Sequence, residues 1–526
     1  MNQRDSIIHV PIEKVDPCDL GTYPYHIFSS IFTLDSVIEL EESGVSSVQR
    51  NPNLALFGSG VIVGIIDTGI DYQHKAFLNH DGTSRILSIW DQTLQDGIPP
   101  EGYTYGAEYN KAQINVALKT NDPLAIVPSV DENGHGTALA SIAAGSEDLK
   151  NLFSGIVPSS ELVIVKLKQA KQNIRDLFFV PDEAICYQES DLILAISYFH
   201  KMVNTMKRPI ALCIGLGTSQ GGHDGSGGTS SYLSWISHTP KLGIGIAAGN
   251  EGNKQRHYFG TVSADLYLDE FELKVSSKDK KFAFQIWAYV PSRLSIEIIT
   301  PTGESTREID ASLDECRRFS FVRESSVVWV NNMIIEEETG DQMILIRMEN
   351  PSEGIWRFRV VNMEQMVSSF HAWLPAGDLI STDTFFLQSS PDTTLTSPGT
   401  AVDPLTITAY NQMSDSILLE SGRGYTRSNT IKPDIAAPGY KLTCAALNGE
   451  YGVATGTGAA CAYATGIIAM ILEWAVIRGN YTNITGMNIS KLLLRGATRE
   501  EGMVYPNKIW GYGKIDIAGL FEKLSI

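Results

Sequence analysis

Hydrophobic positions along this chain fall into two textures. In the first, short continuous apolar runs end in turn-forming residues: V-I-V-G-I-I-D-T-G (61–69), L-V-I-V-K-L-K (162–168), P-I-A-L-C-I-G-L-G (209–217), G-I-G-I-A-A-G-N (243–250) and L-T-I-T-A-Y-N (405–411). Runs of this kind are strands buried on both faces. Between them lie helical patterns, one small-residue segment after His135 and one around Asp191–Met206. A long apolar stretch, Ala459 to Ile477, can only be a helix, and an amphipathic helix is predicted near Ile489–Ala497. Strands alternating with helices predict a doubly wound, mostly parallel α/β sheet. The second texture, about Arg256 to Pro375, alternates every second residue, as in F-A-F-Q-I-W-A-Y-V (282–290) and G-I-W-R-F-R-V-V (354–361). It predicts an all-β sandwich or jelly roll inserted into the α/β chain. The expected organisation is an N-terminal arm (1–50), a first α/β part (51–255), the β insertion (256–375) and a second α/β part (376–526). Residues 81–130 are rich in turn formers and read as a loop-rich excursion.

Composition adds limits. A chain of 526 residues with 41 basic and 60 acidic side chains carries −19, which argues against a nucleic-acid partner. No apolar run reaches the ~18–20 residues of a membrane span, and the N-terminus has no apolar signal-like core, so neither a membrane nor a secretory route is expected. A cytoplasmic or spore-associated location is the expectation, the second term resting on the resemblance below. Six scattered cysteines without C-x-x-C spacing read as buried reduced thiols rather than a metal or disulfide framework. No metal ligand cluster and no cofactor motif stands out.

Four positions carry candidate chemistry. Asp67 closes a buried strand, at the end where ligands bind in open α/β sheets, although a turn cap accounts for it equally well. His135 is bracketed by Gly134 and Gly136 at the start of a small-residue helix. Asn250 follows a strand in A-A-G-N. In V-A-T-G-T-G-A-A-C (453–461) a small-residue turn opens the long helix, and the position it aims, Gly458, has no side chain. Acyl transfer needs a nucleophile, a base, a group that orients the base, and donors for an oxyanion.

The order Asp, His, Asn, nucleophile turn, with D-T-G-I-D, G-H-G-T-A-L-A-S-I-A-A-G, A-A-G-N-E-G, K-P-D-I-A-A-P-G and the G-T-G-A-A turn, resembles the subtilase family of serine peptidases. The excursion after Asp67, the β insertion and Y-P-N-K-I-W-G-Y-G-K-I-D (505–516) resemble its clostridial Csp branch, some members of which act in spore germination and in which the insertion is a jelly roll clamping the protease domain. The resemblance implies that Asp67 orients His135, that His135 is general base and then acid, that Asn250 donates to the oxyanion, and that Gly458 stands at the Ser nucleophile position. It also implies that Ile214, Gly215, Leu216 and Gly217 form an edge to which a peptide adds as a strand, with Gly243 to Gly249, including Ala248 and Gly249, as the other wall. Ala462 stands where the family usually has Pro. Thr457 and Cys461 are neighbours that could in principle replace the missing nucleophile, and neither is expected to. The 66 residues before Asp67 are too few for the family's full propeptide plus its N-terminal arm. Two functional readings follow: a pseudoprotease that binds or regulates a peptide or protein partner, or an active endopeptidase whose Ser is lost only in this form of the chain.

Overall fold

The structure, a computed structural model, describes residues 28–34 and 43–524 apart from 264, 266, 363, 365 and 366. Most of the expected N-terminal arm, residues 1–27 and 35–42, and with it Cys18, lies outside the described residues.

Six parallel strands form the centre of a nine-stranded sheet: Leu405–Asn411, Leu242–Ala247, Ile210–Ile214, Ile62–Asp67, Glu161–Lys166 and Ile86–Asp91, in that spatial order. Antiparallel strands close the edges, Ser416–Ile417 at one side and Ala107–Asn110 at the other, while Ile435–Pro438 pairs in parallel with Leu405–Asn411. From Ile62–Asp67 the chain first builds one side of the sheet and then crosses to the other. The carboxyl end of this strand, where Asp67 stands, is therefore a topological switch point, the place where such sheets open a crevice. Helix Glu189–Met206 covers one face of the sheet, and helices His135–Ala144 and Thr457–Leu472 cover the other.

The excursion of residues 81–130 is more regular than its turn formers predict. Ile86–Asp91 and Ala107–Asn110 join the sheet, and Lys111–Ala117 is a helix with Asn110 as its cap. Pairing decides this: Ile86, Ile89 and Trp90 are fully buried against the Glu161–Lys166 strand, a contact no local pattern encodes.

The expected apolar helix runs Thr457–Leu472 and continues as one wider turn, Glu473–Ile477. Contrary to the sequence reading, this 21-residue segment is long and apolar enough to cross a membrane by length and composition, but 83% of its apolar window is buried inside the protein. Sheet and the His135–Ala144 helix cover it, so it needs no polar face.

Between these halves, two antiparallel sheets of six and five strands face each other. Side chains alternate as the period of two requires: Trp356, Phe358 and Val360 point into the sandwich core with Phe271 and Phe284, and Arg357 and Arg359 point out. The last strand, Phe385–Phe386, pairs with Leu273–Lys274 ten residues beyond the expected boundary at 375. Cys186, Cys213, Cys444 and Cys461 are buried and free, whereas Cys316 is disulfide-bonded, against the expectation of reduced thiols throughout.

Candidate functional site

Asp67 and His135 meet at the switch point. Oδ1 of Asp67 lies 2.6 Å from His135 Nδ1 and accepts a second bond from Thr68 N at 2.8 Å. Asp67 is fully buried and His135 is 6% exposed. A proton on Nδ1, directed at the carboxylate, puts the basic lone pair on Nε2. The glycines beside His135 have separate tasks. Gly134 takes a left-handed conformation at φ 89°, and a Cβ on Gly136 would lie 2.3 Å from the Gly69 carbonyl oxygen. The close approach of helix to strand behind the dyad depends on that missing methyl.

Asp131, which sequence reasoning passed over, holds the helix start. Its carboxylate accepts from Thr68 Oγ1 (2.8 Å), Gly134 N (2.8 Å), Thr137 N (2.9 Å) and Thr137 Oγ1 (2.7 Å), and it is 1% exposed. The Thr68 hydroxyl in turn accepts from Gly136 N at 2.9 Å. An Asp just ahead of a helix was the available signal. Tyr187, packed nearby, has its phenol pushed well above its usual range, first by burial and then by the charges of Asp67 and Asp131.

Asn250 reaches the head of the Thr457–Leu472 helix. Its Oδ1 accepts from both the backbone N–H and the hydroxyl of Thr457, each at 3.1 Å, so its amide NH₂ is turned away from Thr457. The same Thr457 hydroxyl accepts from Gly249 N at 3.1 Å, so it is engaged both as donor and as acceptor. Cys461 is fully buried, with its sulfur 3.6 Å from that of Cys213 and 3.7 Å from the Ile214 carbonyl oxygen. The Cys213 thiol is pushed up, first by that contact and then by burial, so Cys213 is not an activated thiolate. Gly458 lies buried in the first turn of the same helix.

The cleft edge is already paired. Leu216–Gly217 takes the chain's own segment Ile31–Leu34 as an antiparallel strand, with Thr33 opposite Gly217 and Leu34 opposite Leu216. The other side of that segment pairs with Tyr187–Gln188. Phe32 is 1% exposed among Tyr187, Leu192, Leu216, Tyr232 and Leu233. Part of what read as an irregular arm is thus a strand held between two edges. Gly215 lies over the dyad: a Cβ there would be 3.6 Å from both Asp67 Oδ2 and His135 Cε1. Ala248 and Gly249 are held from behind, their carbonyls accepting from Thr396 N (3.0 Å) and Gly422 N (2.7 Å). A cleft opens beside Phe32, between the glycine-rich loop 221–228 and Trp287, Glu336 and Thr339 of the sandwich. Among the described residues, no group of three or more His, Cys, Asp or Glu is arranged to hold a metal ion.

A family model described as the subtilase family matches residues 58–183 and 382–513, on either side of the sandwich. The structure of the Clostridium perfringens CspB protease superposes with a TM-score of 0.81 at 30% identity, over 92% of this chain and 96% of that one. Among curated proteins, the C5a peptidase of Streptococcus pyogenes serotype M18 is 22% identical over 494 residues, 87% of this chain and 40% of that protein. Subtilisin-like protease SBT3.1 of Arabidopsis thaliana is 22% identical over 451 residues, 79% of this chain and 53% of that protein. The chain spans about half or less of the length of these two relatives.

Proposed function

The chain belongs to the subtilase family, and from that premise we propose that it is a peptidase scaffold that binds or regulates a peptide or protein partner without cleaving it. What supports this reading is Gly458 in the first turn of the Thr457–Leu472 helix, the position to which the motif resemblance assigns the family's attacking Ser, with the Asp67–His135 pair and the Thr457-braced Asn250 beside it in the sequence order of the family. A base and an oxyanion donor without a nucleophile retain at best the ~10³–10⁴-fold advantage over water left to a triad knockout. The neighbours that could substitute are engaged elsewhere, Thr457 with Asn250 and Gly249, and Cys461 with Cys213. The self-paired cleft edge supports binding as its retained capacity, since strand addition uses backbone groups and needs no nucleophile.

The test uses the purified chain with a fluorophosphonate probe and a panel of fluorogenic peptides. Neither labelling nor turnover above a His135→Ala control is expected, and either one overturns the proposal. Gly458→Ser in the same chain is expected to gain probe labelling. A folded Ser variant that stays inert shows that the site has decayed beyond its nucleophile.

A further inference from the structure

Three histidines and a tryptophan fill the seam between the sandwich and the α/β domain, next to the cleft edge. His223 lies in the glycine-rich loop 221–228, and His257 and His371 lie on the adjacent sandwich strands His257–Val262 and Ser368–Trp373. All three are buried. The His223 ring stacks on Trp373 at 4.0 Å and 10°. His257 and His371 flank the same indole at 5.1 and 5.0 Å. Nε2 of His257 lies 2.9 Å from Nδ1 of His371, and His257 Nδ1 lies 3.3 Å from the Ser390 carbonyl oxygen.

A bond between two imidazoles needs one N–H and one lone pair. With both rings fully protonated, two N–H groups would face each other across 2.9 Å. The surrounding charges do not favour protonation either. Arg427 faces His223 and His371, with its guanidinium over the Tyr289 ring at 4.5 Å and the Trp287 ring at 5.5 Å. The carboxylates in reach, Asp224 (3.0 Å) and Asp341 (2.6 Å), already pair with Arg427. Asp392 meets His257 through its backbone, and its carboxylate pairs with Lys508 at 2.7 Å. His223 has groups that welcome a second proton, its two nitrogens facing the carbonyls of Leu395 (2.7 Å) and Ser219 (3.0 Å). His257 has backbone partners at Ser390 and Asp392, but its other nitrogen faces the His371 ring.

We propose that this seam is a proton-operated latch, closed while the histidines are neutral and released in mildly acidic medium because added protons set N–H against N–H across the His257–His371 contact.

Burial is the largest influence on each ring. It holds His223 down to about 4 in spite of the two carbonyls, and His257, with His223 as a neighbour, to about 3. His371 is lowered further, by burial and then by His257 and Arg427. A ring released to water returns to about 6.5. The sign follows: the closed state has its full advantage above pH ~6.5, and loses it as the pH falls from there toward the closed-state values. Between pH 7.5 and 5.5 each ring makes opening about tenfold more favourable, and the three together up to about a thousandfold. The latch loop also holds the cleft. Gln220 Oε1 accepts from Ile31 N at 2.8 Å, and Gly221 N donates to Gln285 Oε1 of the sandwich at 2.9 Å. Opening the seam therefore loosens the strand Ile31–Leu34 at the edge Leu216–Gly217. None of this depends on whether the chain cleaves peptides.

The experiment is limited proteolysis of the intact chain at pH 7.5 and 5.5, with cleavage normalised at each pH to an unfolded peptide. Cleavage in the two connections flanking the sandwich is expected to rise at least a hundredfold at pH 5.5. In His257→Asn/His371→Asn, which keeps polar side chains but removes two titrations, the rise is expected to stay near tenfold. Should the double variant fail to fold, ring-nitrogen NMR of the unaltered chain decides: the closed form is expected to keep the His257–His371 pair neutral at pH 5.5. An unchanged cleavage rate, an equal rise in the double variant, or titration of that pair near 6.5 in the closed form overturns the proposal.

Discussion

The side-chain oxygen of Asn250 is held by the backbone N–H and the hydroxyl of Thr457, at 3.1 Å each. Because an amide that accepts on one side must present its NH₂ on the other, Thr457 determines where Asn250 donates. In a Gly458→Ser background, Thr457→Val is expected to lower kcat about tenfold to a hundredfold with KM nearly unchanged. That range is a fraction of the 10²–10³ lost when an oxyanion donor is removed outright. Steady-state kinetics of the two variants check this, and a change confined to KM contradicts it.

Asp131 gathers three backbone N–H groups, those of Asn133, Gly134 and Thr137, and two hydroxyls at the root of the His135 helix. Asp131→Ala leaves these buried donors without their acceptor. The expected cost is about 3 kcal/mol in chemical denaturation, from several unmade bonds. Asp131→Asn keeps the shape and one acceptor oxygen and is expected to lose about half as much.

Gly136→Ala tests the close approach behind the dyad. The new methyl would stand 2.3 Å from the Gly69 carbonyl oxygen and 3.1 Å from Asp67 Cβ. Since backbone cannot yield as a flexible side chain can, the helix start must move off the strand. We expect a loss of roughly 2 kcal/mol, within the range for overpacking, together with a changed NMR signal of the His135 Nδ1 proton. A variant as stable as the parent, with that signal in place, contradicts the packing argument.

Phe32 anchors the chain's own strand in the cleft. Phe32→Ala is expected to cost about 3 kcal/mol locally, as for other buried aromatic truncations. Hydrogen exchange at Ile31 and Thr33 should quicken by about two orders of magnitude, while the central sheet keeps its protection. Uniform quickening across the sheet would show instead that the strand is part of the global folding unit.

Much of the site was legible because local chemistry marks it. Asp67 closes an apolar run, His135 sits between two glycines, and Asn250 and Gly458 lie in small-residue turns. Each mark reflects a local need: a strand end, a left-handed residue, a close contact. Asp131 was less legible, since its five donors come from Thr68, Asn133, Gly134 and Thr137 and are gathered only by folding. The strand Ile86–Asp91 was hidden for the same reason: turn formers surround it, and its partner lies some 75 residues away, Trp90 opposite Val165.

The sequence by itself determined the parallel sheet, the inserted sandwich and the residue types at the site, because burial periodicity and turn chemistry are written locally. Tertiary structure alone decided which atoms meet: Asn250 braced by Thr457, Ile31–Leu34 paired with the cleft edge, and His223, His257 and His371 around Trp373. Those contacts join residues far apart in the chain, and what selects them is the packing of whole elements rather than any pattern near the residues themselves.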